Sequence, residues 1–310
     1  MLVGAIAQSI PDIDFLATFW SSESGDILSH RGFTHSFLFG FLATLLLSAL
    51  CSRYLRKWWM GWRTWFLLIG LNIAIHLLID TCNAYGLGLL EPFNDRRFSF
   101  HILFVADPLF SIWPFFAFVA LLIMKIKNPK RKYWSRLGIA MSIIYLCYAL
   151  FNKTIIESDI KKSLVEQGLP SEKILVTPTP FNSLLWYAVA KDKNGYHVTY
   201  RSVLGRDKPI RYTYFSRKDS LKKLIRNKEE MEAMIGFADD FYTLEKRKDT
   251  MVLYVLRFGQ VTGWHDPTNK FAFYYYLDCP GANELVTQRG RFENWNRTTL
   301  KSFWRNVTGR

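Results

Sequence analysis

The sequence predicts a multi-span α-helical membrane domain followed by a soluble α+β domain. Three observations carry that prediction: long apolar runs are confined to the first half of the 310-residue chain, basic clusters lie between those runs, and turn chemistry takes over after residue 152. The expected division is a helical membrane domain at 1–152 and an extracytoplasmic α+β domain at 153–310, two units being ordinary for this length.

Residues 1–10 are apolar but too short to span a bilayer, and Pro11 should end them, leaving the tip of a helix. Apolar runs at 37–51, 65–79, 102–124 and 137–151, flanked by aromatics such as Trp58, Trp59 and Trp134, each approach the ~20 residues a bilayer requires, which predicts four spans. The basic clusters Arg53-Tyr-Leu-Arg56-Lys57 and 125–136 should lie in cytoplasmic loops. Helix ends near Thr34, Asp80, Ile102 and Asn152 then face the opposite side, the periplasm of a bacterial inner membrane, and so does the tail. The opening Met1-Leu-Val-Gly-Ala lacks a basic n-region, so the membrane segments are expected to direct targeting.

In the tail, Thr177-Pro-Thr-Pro180 reads as a turn, and 186–190 and 196–201 around Lys-Asp-Lys-Asn194-Gly195 read as a hairpin. Strands are expected at 251–258 and 271–277, and a helix over 220–237, giving an α+β domain with a meandering sheet. The aromatic stretch Phe271-Ala-Phe-Tyr-Tyr-Tyr276 suits the core of a strand.

The formal charge of +14 does not point to nucleic acid, because the densest basic clusters sit where membrane topology requires them and lack the polar readers of a binding face. Cys51, Cys82, Cys147 and Cys279 share no zinc-ribbon or CxxC spacing and carry no expected chemistry.

The chemistry is expected at one membrane face. Asp12 and Asp14 follow the first apolar stub, His30 and His35 precede the first span, and His76 and Asp80 end the second. His76 and Asp80 stand i, i+4, the spacing by which a helix presents paired metal ligands. In His30-Arg-Gly-Phe-Thr-His35, a turn at Gly32 and a helix cap at Thr34 would let both imidazoles converge. Imidazole and carboxylate donors suit zinc first, then manganese or iron, and six candidates leave room for a second ion. Arg31, Arg96 and Arg97 fall on the same side and suit phosphate. Asp107, before Pro108 in the third run, is either a further ligand, a partner for a ligating imidazole, or part of a helix kink. Taken singly, a histidine in a span is more often an interhelical hydrogen-bonding residue, and an Asp-x-Asp loop more often a turn; co-location favours the metal. His101, His197 and His265 lack partners at ligand spacing and are expected to be structural.

Pro-Asp-Ile-Asp14, His-Arg-Gly-Phe-Thr-His-Ser36, His76-x-x-x-Asp80 followed by Asn83-Ala-Tyr85-Gly86, and Asp107-Pro-Leu together resemble the YdjM-type family of bacterial inner-membrane proteins, over roughly 4–125. Thr-Pro-Thr-Pro-Phe-Asn-Ser-Leu-Leu-Trp186 is similar to the C-terminal region of its longer members. The family is described as metal-dependent hydrolases, linked in some members to LexA regulation and thought related to zinc-dependent phospholipase C and P1-type nucleases. The resemblance implies Asp12, Asp14, His30, His35, His76 and Asp80 as metal ligands and a phosphoester substrate. Family members usually begin with another helix bearing a Thr-His or Thr-Gln pair, whereas this chain opens in what corresponds to the second half of that hairpin. The expected function is a membrane metal-dependent hydrolase acting on a phosphoester or lipid-like substrate, with Asp12 and Asp14 completing the metal set or serving as base, Arg31 orienting the anion, and membrane lipids as partners. A non-enzymatic scaffold or envelope-stress protein with a structural ion is the alternative; an ion transporter ranks last, since its ionisable groups belong nearer the bilayer midplane.

Overall fold

The computed structural model describes residues 2–19, 30–55, 60–279, 283 and 294–310. Arg56, Lys57, Trp58 and Trp59, assigned above to the first basic loop and its aromatic flank, lie outside them. The chain forms two compact units, one of residues 1–100 with Lys228–Phe237, the other of His101–Asn227 with Ala238–Arg310.

In the first unit, helix α1 (Leu2–Ser9) stops at Pro11, and the chain continues as a 3₁₀ segment, Pro11–Phe19, that carries Asp12 and Asp14. A 3₁₀ turn at Phe33–His35 leads into α2 (Phe37–Tyr54), which is followed by α3 (Trp62–Thr81). Ser36, and not Thr34, caps α2: its side chain accepts from the Phe39 N–H at 3.1 Å. The left-handed residue in the preceding turn is Arg31 (φ 59°) rather than Gly32 (φ −85°). Ala7, Ile69, Ile73 and Leu77 form the core in which α1 meets α3. Small residues let α2 and α3 approach closely, for a Cβ built on Gly40 would come within 3.1 Å of Ile73.

In the second unit, α4 (Pro108–Ile123) precedes α5 (Lys130–Glu166). Among the described residues, α2, α3 and α5 are long and apolar enough to cross a membrane. The third expected span starts later than the apolar run: Asp107 caps α4, with Pro108 at its first turn, and 102–107 is not helical. Its 16 residues reach about 24 Å, short of the ~30 Å hydrocarbon core. Helix α5 is 37 residues long and runs unbroken through the boundary expected at 152/153.

Strands β1 (Lys173–Pro178), β2 (Leu185–Lys191), β3 (Gly195–Ser202) and β4 (Thr213–Ser216) form an antiparallel meander; β5 (Tyr242–Arg247), β6 (Thr250–Gln260) and β7 (Phe271–Leu277) form a second. The expected hairpin is β2–β3, registered Leu185 opposite Ser202 through Lys191 opposite Tyr196. Pro178 belongs to β1, where a missing N–H is tolerated because β1 is an edge strand. Period-two alternation sorts the first sheet into two cores. Leu175, Tyr187, Val189, Tyr196 and Val198 pack with Phe241, Val252, Tyr254 and Leu256 from the region of the second sheet. Val176, Trp186, Ala188 and Ala190 pack against Ile156, Ile160 and Leu164 of α5. The helix expected over 220–237 is broken into a 3₁₀ turn, Asp219–Leu224, and α6 (Lys228–Phe237), because the Asp278 carboxylate captures the N–H groups of Arg226 and Asn227 between them. A capped helix α7 (Arg297–Val307) closes the chain. The four cysteines are free thiols.

Candidate metal centre

The last two turns of α3 place His76 and Asp80 on one face, as their i, i+4 spacing requires. The 3₁₀ turn brings His35 to them, and the segment after α1 brings Asp12. One donor atom from each of Asp12, His35, His76 and Asp80 lies within 4.8 Å of the other three. The Nε2 atoms of His35 and His76 are 3.4 Å apart. Asp12 Oδ1 is 3.6 Å from both, and Asp80 Oδ2 3.8 Å from both. Four donors about 2.0–2.1 Å from a shared centre stand roughly 3.3–3.4 Å apart along the edges of a tetrahedron, so these five separations lie near those of one four-coordinate ion, and the sixth, Asp12 to Asp80, falls within 4.8 Å. Asp80 Oδ2 is buried and, among the described residues, has no hydrogen-bond partner, its charged neighbour being Arg31 Nη2 at 3.1 Å. Asp12, His35, His76 and Asp80 could together hold a metal ion.

His35 is fully buried, whereas 56% of the Asp12 side chain is exposed, so the cluster opens on the Asp12 side. The hydrogen bond with His35 holds the Asp12 carboxyl below its usual range against the opposing effect of burial.

The other expected residues fall behind this set. Asp14 Oδ2 accepts from the Arg31 N–H at 2.7 Å and lies 3.1 Å from His30 Nδ1 and 3.8 Å from His35 Nδ1. Burial raises its pKa, but the His30 and Arg31 contacts outweigh that and leave it lowered. The far nitrogen of His35 has the Thr34 hydroxyl at 3.1 Å, the position that sets imidazole tautomer and orientation, and Asp14 stands behind it at 3.8 Å. His30, with half its side chain exposed, is joined to Asp14 and is not one of the four clustered donors. Asp107 is occupied otherwise: Oδ1 caps α4 through the Leu109 and Phe110 N–H groups, and Oδ2 accepts the Tyr145 hydroxyl at 2.9 Å.

Arg31 is nine-tenths buried with Nη2 3.1 Å from Asp80 Oδ2, and among the described residues its Nε and Nη1 have no hydrogen-bond partner. Its left-handed backbone costs on the order of 1–2 kcal/mol and is held from both sides, since its N–H reaches Asp14 and its carbonyl accepts from the Gly88 N–H at 2.9 Å. The loop after α3 supplies that support. Arg97 Nη1 donates to the His30 carbonyl at 2.8 Å, and the Tyr85 ring lies under the Arg31 guanidinium, 5.1 Å from its carbon. Gly86 (φ 76°) makes the turn between them, where a Cβ would crowd Arg97 Cβ and the Phe98 carbonyl at 3.3 Å. Tyr85 and Gly88 were not foreseen as supports of Arg31; the only local sign was the Asn-Ala-Tyr-Gly turn after Asp80. Arg96 does not join the cluster: its guanidinium is stacked over Phe98.

A family model described as "YdjM inner membrane protein" matches residues 1–156. The inner membrane protein YbcI of Escherichia coli (strain K12) is 34% identical over 102 residues, covering 32% of this chain and 56% of that relative, so the match spans about half the relative's length. No solved structure matches the chain.

Proposed function

The chain belongs to the YdjM inner membrane protein family, and on that premise we propose that it is a metal-dependent hydrolase of the inner membrane acting on a phosphoester or lipid-like substrate at the periplasmic face. The observation that carries this reading is the juxtaposition of four clustered donors with a buried guanidinium whose Nε and Nη1 are unpartnered. When bound at Asp12, His35, His76 and Asp80, a divalent ion, zinc first by its donor set, supplies Lewis acidity and a nucleophile at neutral pH by bringing the pKa of water toward ~7.

The chain's own groups do the rest. Arg31, held 3.1 Å from Asp80 Oδ2, neutralises the negative charge that an anionic substrate develops beside Asp80. Thr34 positions His35 through its far nitrogen, Asp14 adds negative charge behind that ring, and His30 holds Asp14 from the exposed side. Asp12, at the open side, is where substrate meets the cluster. The basic loops face the cytoplasm and the domain after α5 lies outside it.

The test is metal content by mass spectrometry, followed by turnover of phosphomonoester, phosphodiester and phospholipid substrates. Wild type should carry near-stoichiometric metal, and His76→Ala with Asp80→Ala should carry none. Arg31→Ala should keep the metal and lose roughly 10²–10³-fold in turnover. Metal without cleavage of any of these esters would favour a scaffold with a structural ion.

A further inference from the structure

The face of α3 next to the cluster is not filled by protein. Between α2 and α3 lies a groove of about 560 Å³, lined among others by Phe41, Thr44, Phe66, Gly70, Leu77 and Thr81. Its volume lies within the ordinary range for ligand sites, roughly 300–1,000 Å³, and its lining is almost wholly apolar. The Gly70–Thr44 approach, where an added Cβ would stand 3.2 Å from Thr44 Cγ2, brings the helices together in the groove. From Phe66 to Thr81 the groove follows α3 for about 22 Å at ~1.5 Å per residue, long enough for one extended acyl chain.

Two features choose the occupant. Both walls belong to helices long and apolar enough to cross a membrane, so the medium beside the groove is hydrocarbon and not water. The groove also ends in the turn of α3 that carries the cluster, with Leu77 following His76 and Thr81 following Asp80. A lipid tail lying along α3 would bring its polar end to Asp80 and the Arg31 guanidinium 3.1 Å away. We infer that the groove between α2 and α3 seats one acyl chain of a membrane lipid whose anionic headgroup ester is presented to the cluster. This rests on the reading of that cluster as the reactive centre, and it assigns the substrate class to membrane lipids rather than to soluble phosphoesters.

The test uses the full chain in phospholipid bilayer discs doped with a phospholipid bearing a photoreactive diazirine in its acyl chain, with labelled residues located by mass spectrometry. Labelling should concentrate on Phe41, Thr44, Ala74 and Leu78, several-fold over outward positions such as Leu67 and Leu71. Ala74→Trp, which adds bulk at an exposed position lining the groove, should cut groove labelling and raise KM for a long-chain phospholipid while leaving that for a short-chain soluble ester unchanged. Leu71→Trp, at an exposed position outside the groove, should change neither. Uniform labelling around both helices, or equal KM effects on both substrates, overturns the inference. Metal content is scored on the same preparation: absence of metal overturns the hydrolase reading while the labelling pattern still decides the groove, and uniform labelling of metal-loaded protein overturns the groove alone.

Discussion

His35 and His76 approach through nitrogens 3.4 Å apart, with carboxylate oxygens 3.6–3.8 Å from each. Two imidazoles and two carboxylates arranged so would leave a divalent cation electrically balanced, whereas without one Asp80 Oδ2 has the Arg31 guanidinium, 3.1 Å away, as its charged partner. Asp14 tests the difference between ligand and support. Asp14→Asn, which removes a negative charge 3.8 Å from His35 Nδ1 but leaves the Thr34 contact in place, should weaken metal affinity without abolishing it, whereas Asp80→Ala should abolish stoichiometric binding; competition with a chromogenic chelator measures both. A second residue-scale expectation concerns Asp219, which accepts the Tyr242 hydroxyl at 2.6 Å and pairs with Arg217. Burial opposes its ionisation, but these partners outweigh burial and hold its pKa below the ordinary 3.8. A depressed carboxyl stabilises the fold above the unfolded value and loses that contribution as pH falls through the native one. Melting temperature should therefore drop in acid below about pH 4, and Asp219→Asn should be less stable than wild type at neutral pH with a shallower acid limb.

At the scale of elements, small residues decide how the helices meet. A Cβ on Gly138 of α5 would stand 2.7 Å from Ala117 Cβ of α4, closer than two such atoms approach, so Gly138→Ala forces the pair apart. Overpacking of this kind costs about 1–3 kcal/mol, and thermal denaturation in detergent should show it as a lower melting temperature. The polar link from α4 to the sheet is similar in kind. Tyr145 donates to Asp107 and accepts from Ser183, and the Ser183 carbonyl accepts from Asn152 and Trp186. The second halves of α3 and α5 thus differ in use, one ending in candidate ligands and the other continuing as the wall of a β-domain core.

On the scale of the whole molecule, α5 belongs to both kinds of environment. Its apolar first part is a candidate span, and Ile156, Ile160 and Leu164 near its end are buried against β1 and β2. A fragment starting at residue 153 should therefore fold, and one starting at 168 should not, since losing three buried aliphatic side chains removes on the order of 5–9 kcal/mol of apolar burial. Near-ultraviolet circular dichroism and proteolysis of the two fragments separate these outcomes; a well-folded fragment from 168 would show that α5 ends functionally at the membrane.

Hydropathy and spacing alone determined the apolar helices, the α+β tail with its hairpin, and the candidate ligands Asp12, His35, His76 and Asp80, because membrane spans and i, i+4 pairs are local properties of the chain. The sequence did not separate those four from His30, Asp14 and Asp107. The imidazoles and carboxylates expected at that membrane face are chemically alike as donors, and only the folded backbone decides which oxygen and nitrogen atoms come within 4.8 Å of one another. The start of α4 was hidden for a related reason: hydropathy runs smoothly through 102–124, and the cap at Asp107 is a hydrogen-bond pattern, not a composition. The break before α6 depends on Asp278, some fifty residues downstream. The support of Arg31 by Tyr85, Gly88 and Arg97 likewise joins segments more than fifty residues apart, so it existed only once the tertiary structure had brought them together.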